Sequence, residues 1–78
     1  MTAQYRVVVA KQDERVEGPD EAEIVVSVPV SIASDDRFDA AVEFMRGRLK
    51  ATGHTGSVLE VLKSGEATAV LRRLASRP

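Results

Sequence analysis

Cysteine, asparagine and tryptophan are absent from this chain, and histidine occurs once. Without cysteine there is no disulfide, no thiolate nucleophile and no thiolate metal site. A lone histidine gives no base beside a strong nucleophile and leaves carboxylates as the remaining metal ligands. No apolar run approaches the roughly 18 to 20 residues that span a bilayer, and the first residues lack the basic start and apolar core of a signal peptide. Aromatic residues are few, and G-x-G-x-x-G, P-loop and zinc spacings are missing. These absences predict a protein with no enzymatic activity, no cofactor and no membrane association, located in the cytoplasm. No residue motif marks a known family.

What is present has the balance of a globular domain rather than a disordered tail, with 44% apolar and 29% charged residues. A single domain is expected over residues 1–78. At this size one core barely offsets chain entropy, so further buried area is expected from self-association, as a homodimer. Arginine outnumbers lysine eight to three and isoleucine occurs twice, the bias of a GC-rich genome. Size and bias together suit a small regulatory, phage or assembly protein.

Along the chain, "AQYRVVVA" sets Tyr5, Val7 and Val9 against Arg6, Val8 and Ala10, the alternation of a strand with one well-buried face. The charged stretch "KQDERVEGPDE" reads as a loop closed by Gly18-Pro19-Asp20. Next, "EAEIVVSVPV" places Ala22, Ile24, Val26, Val28 and Val30 on one face, with Pro29 marking a strand edge or end. The two strands read together as an antiparallel hairpin. Beyond them, Phe38, Ala41, Val42, Met45 and Leu49 fall on one face of a long helix. Ser34 is the expected N-cap, Asp35, Asp36 and Asp39 suit the first turns, Gly47 is an interior blemish, and Gly53 is the expected C-cap.

Residues 54–74 admit two readings. As strands they fold about Ser64-Gly65 and pair Lys63 with Glu66 and Val61 with Thr68. As helices they show a capping-box spacing from Ser57 to Glu60, with an apolar phase that requires a break at Ser64-Gly65. A second hairpin would complete a sheet large enough for the long helix to cover. The expected fold is therefore α+β, ordered β-β-α-β-β, with one long amphipathic helix on a four-stranded, mainly antiparallel sheet. The alternative is β-β-α-α, with residues 57–76 as two short helices.

Charge distribution is the feature that stands out. Residues 1–43 carry ten acidic against four basic side chains, and residues 44–78 carry two against seven. The basic half clusters Arg46, Arg48, Lys50 and His54 at the expected helix end and Arg72, Arg73 and Arg77 in the tail. If these meet they form one patch for an anionic partner. A positive ring at His54 would suit the end of a helix. Asp13, Glu14, Glu17, Asp20, Glu21 and Glu23 would form an acidic loop. Phe44 lies off the main stripe, either covering the sheet edge or contacting a protein. Segregated charge of this kind favours a protein-interaction or assembly module that binds another protein or itself. The alternative is a nucleic-acid-binding accessory protein that uses the basic patch, against which stands an acidic pI of about 5.8.

Overall fold

The computed structural model describes residues 2–76. It is an α+β fold in which a four-stranded mixed sheet carries its helices on one face. Strand β1 (Ala3–Ala10) pairs antiparallel with β2 (Asp13–Glu17) and parallel with β3 (Ile24–Pro29). The short strand β4 (Lys50–Thr52) closes the other edge antiparallel to β3, giving the order β2-β1-β3-β4. Between β3 and β4 lie two short helices, α1 (Val30–Ala33) and α2 (Ala40–Met45). Helices α3 (Thr55–Lys63) and α4 (Glu66–Ser76) follow.

Three sequence expectations are corrected here. First, the antiparallel partner of β1 is β2, drawn from the stretch read as a loop, while the strand expected as that partner runs parallel to β1 on its other side. The crossing is made by residues 18–23. Gln4 holds it, its Nε2 donating to the Pro19 carbonyl at 3.2 Å and to Asp20 Oδ1 at 3.3 Å. Two of the three strand pairs remain antiparallel.

Second, the long helix is broken. Ser34 closes α1, and the cap of α2 is Asp39, whose Oδ1 accepts from the backbone of Ala41 at 3.0 Å and Val42 at 3.3 Å. The helix stops at Gly47, which adopts φ +76°. The Arg48 amide donates back to the Glu43 carbonyl and the Gly47 amide to that of Phe44, the paired bonds of a Schellman ending. Gly47 thus ends the helix that it was expected to interrupt, and Gly53 lies beyond β4. Met45, expected in the core, is 76% exposed, while Phe38 and Leu49 are buried from positions outside any helix.

Third, residues 55–76 are two helices, so the hairpin reading gives way to its alternative. Val58, Val61 and Leu62 are buried on α3, and Ala67, Val70, Leu71 and Leu74 on α4, each set at helical spacing. The phase change between them falls at Ser64-Gly65, where Ser64 Oγ donates to the Val61 carbonyl and accepts from the Glu66 amide. Ser57 lies inside α3 rather than at its cap, and His54 occupies that cap position without a side-chain bond. His54 therefore stands at a helix start rather than at a helix end.

The core lies between sheet and helices and contains Tyr5, Val7, Ile24, Val26 and Val28 from the strands. Helix α4 packs on β1 and β2. It is tied by the inward side chains of β2: Arg15 Nη1 donates to the Leu74 carbonyl at 2.8 Å and the Ala75 carbonyl at 3.1 Å, and Glu17 pairs with Arg73. Arg15 thus satisfies carbonyls that the last helical turn leaves open, and brings positive charge to the negative end of the dipole.

At the other end of α4, the buried Tyr5 hydroxyl donates to Glu66 Oε2 at 3.2 Å. Burial, then the charge and hydrogen bond of Glu66, push the Tyr5 pKa up from its usual 10 to about 12. Because the folded value is the higher one, this contribution to stability is intact below pH 10 and is lost as pH rises through about 12. Tyr5 is the sole tyrosine and there is no tryptophan, so phenolate absorbance reads this group cleanly. The expected midpoint is near 12, moving back toward 10 in Glu66→Gln. An ordinary midpoint in the folded wild type would refute the contact.

Candidate functional site

The register divides the sheet into two unlike faces. Tyr5, Val7, Val26, Val28 and the inward residues of β2 lie beneath the helices. The opposite face carries Gln4, Arg6 and Val8 from β1, Glu14 and Val16 from β2, Val25, Ser27 and Pro29 from β3, and Lys50 and Thr52 from β4. Gln4 is fully buried beneath the crossing segment, so that end of the face is closed. Arg6 Nε donates to Gln4 Oε1 at 2.8 Å, and its Nη1 lies 3.2 Å from Glu14 Oε2. The other end is open: Val16 is 41% exposed, Val8 is half-buried, and Pro29 is exposed.

At the open end a groove of about 510 Å³ runs off the face toward β4, lined by Val8, Ser27, Pro29 and Ile32, with Arg48 and Lys50 along its margin. Arg48 also lines a second cleft, of about 350 Å³, shared with Arg37, Phe38, Asp39, Glu43 and Arg46. The Arg48 guanidinium grips the buried Glu43 carboxylate from two nitrogens, Nε to Oε2 at 2.6 Å and Nη2 to Oε1 at 2.8 Å. That bond holds the Arg48 pKa above its ordinary value. Arg46 Nη1 lies 3.8 Å from the same carboxylate.

The expected basic patch is thus met by carboxylates. Arg46 and Arg48 face Glu43, and Arg73 pairs with Glu17 across on β2. Arg72 reaches the Asp36 carbonyl at 3.5 Å, Lys50 is exposed on β4, and His54 is exposed before α3. Arg77 lies outside the described residues. Phe44 is half-buried and packs against the core. Among the acidic residues, Asp39 caps α2 and Asp35 Oδ1 accepts from the Arg37 amide. Among the described residues no group of three or more histidine, aspartate or glutamate side chains is placed to hold a metal ion, and no helix is long and apolar enough to cross a membrane.

No protein-family model matches the chain, and no curated protein matches it in sequence. The fold has a solved counterpart. It is similar to the solution structure of TT1886 from Thermus thermophilus, a conserved hypothetical protein described as a candidate sterol carrier protein. The TM-score is 0.56 at 18% identity, covering 99% of this chain and 71% of that one. At this identity the likeness establishes the shared small α+β fold.

Sequence reasoning missed the open sheet face because it rests on β2, whose residues read as loop. The signal was Val16, an apolar residue two positions from Glu14 and placed alone in a charged run.

Proposed function

We propose that the chain is a small non-enzymatic protein-interaction and assembly module that self-associates through the helix-free face of its sheet. The observation that carries this reading is the open end of that face, where Val8, Val16 and Pro29 remain accessible while α3 and α4 pack on the other side. A one-sided sheet in a short chain has apolar surface that a second layer can cover. The two sheet edges are poorer docking sites: β2 is charged along its length, and β4 is three residues long and begins with Lys50. Both are devices that discourage strand addition.

The nucleic-acid reading is weaker, because Arg46, Arg48 and Arg73 already face carboxylates. The sterol-carrier description of the fold neighbour is not extended to this chain, since Val7, Val26, Leu62, Leu71 and Leu74, all 2% exposed or less, fill the space between sheet and helices.

Sedimentation equilibrium over a dilution series tests the proposal. Wild type is expected to show reversible, concentration-dependent dimerisation. Val16→Lys, at an exposed position, is expected to remain monomeric while keeping the circular dichroism spectrum of the wild type. A dimer equally stable in that variant would remove the face from the interface.

A further inference from the structure

Resting on the self-association just proposed, we infer that the groove beside Arg48 and Lys50 receives the end of the β1–β2 hairpin from a second copy, in a dimer whose twofold axis runs parallel to the strands.

The inference follows from the arrangement of charge and relief across one face. The strand order β2-β1-β3-β4 puts the acidic edge, with Asp13 and Glu14, at one side and the basic edge, with Arg48 and Lys50, at the other. The register sets Glu14 opposite Val8 and Val8 opposite Pro29, so these residues form a row across the open end. One step toward the closed end, Val16, Arg6, Ser27 and Lys50 form the next row.

Two sheets stacked face to face by a twofold axis in the interface have two simple choices. An axis perpendicular to the strands lays each strand over its own copy. It sets Lys50 near the partner's Lys50 and Arg6 near the partner's Arg6, an arrangement that repels. An axis parallel to the strands lays β2 over the partner's β4 and β1 over its β3. Each row then meets the same row of the other copy in reverse order. Val8 lies over Pro29, Arg6 over Ser27 and Val16 over Lys50, while Glu14, in the row next to that of Lys50, comes to the basic margin of the groove. The contact is made twice, each copy bringing its hairpin end to the groove of the other. The crossing residues 18–23, which close the Gln4 end, remain outside the contact.

Arg48 suits this role because its anchoring is internal. With Nε and Nη2 held by Glu43, the guanidinium is fixed in place at the groove wall, and Nη1 remains as a further donor. Lys50, exposed and on the same margin, supplies the second positive charge.

The test is a charge-swap cycle on the full chain, read as the dimer dissociation constant by sedimentation equilibrium at low salt. Glu14→Lys and Lys50→Glu are each expected to weaken dimerisation about tenfold, since each sets like charges against one another. The double variant is expected to recover to within about threefold of wild type. Losses that add in the double variant, with wild type still dimeric, overturn this docking mode and leave self-association standing. A wild type that is monomeric at every concentration overturns both, and gives the groove to a different partner.

Discussion

Gly18→Ala is expected to leave the chain largely unfolded under conditions where wild type is stable. Gly18 adopts φ +111°, a conformation that L residues rarely take, and a Cβ built there falls 2.4 Å from the Ala3 carbonyl oxygen and 2.9 Å from the Gln4 Cα. Both neighbours are backbone of the central strand, so neither can swing aside. Strain of this type costs about 1 to 3 kcal/mol before the overlap is counted. A domain of this length holds roughly 4 to 12 kcal/mol in total. Urea unfolding followed by circular dichroism measures the loss. Gly47→Ala is the control: it also has positive φ, but nothing lies within 4 Å of the added atom, so a smaller cost of about 1 to 2 kcal/mol is expected. Equal and mild effects at both sites would mean that residues 18–23 do not press on β1 as described.

The second large effect is expected at the Glu43 and Arg48 pair, and it is asymmetric. Arg48→Met strips both hydrogen-bonded donors from a buried carboxylate and leaves it only the Arg46 charge, whose Nη1 lies 3.8 Å away, whereas Glu43→Leu leaves a half-exposed guanidinium that water can reach. The melting temperature is therefore expected to fall further in Arg48→Met, by on the order of 10 °C. The double variant Glu43→Leu with Arg48→Met should lose less than Arg48→Met alone, because an apolar pair removes the stranded charge. Thermal melts of the three variants decide it. A Glu43→Leu loss equal to or greater than that of Arg48→Met would show that the carboxylate is not the costly partner.

These two sites also mark the limits of what the sequence disclosed. Strand β1 was legible because Tyr5 and Val7 alternate with Arg6 and Val8, and β3 because Ile24, Val26 and Val28 are spaced by two and are all buried. Strand β2 was hidden because its inward residues are Arg15 and Glu17, which serve α4 rather than an apolar core. An inside made of ion pairs and helix-end bonds leaves no apolar alternation to read. The long helix was over-read because its stripe continues through Leu49, and the sequence alone did not show that Gly47 takes positive φ. The Glu43 and Arg48 contact was invisible for the same reason. Five positions apart on a continuous helix, the two side chains point to different faces; the Schellman turn brings them together. Halves of opposite charge were plain in the sequence, but the tertiary fold decides which charges remain available, pairing Arg73 with Glu17 and leaving Lys50 exposed.

The position of α4 over β1 and β2 has a consequence for the making of the protein. The ribosome produces β1 first among these elements and α4 last, and the helix is the cover of that earliest strand. At about 5 to 20 residues per second, the Val7–Val9 stretch spends several seconds without its lid. The β1–β2 hairpin can form locally in that interval, but the layer that buries its inner face does not yet exist. The inner face of the sheet is therefore closed only when the final turns of α4 reach Arg15. A stalled or truncated product that lacks α4 would present a bare valine-rich strand, which is the kind of segment that chaperones and proteases remove.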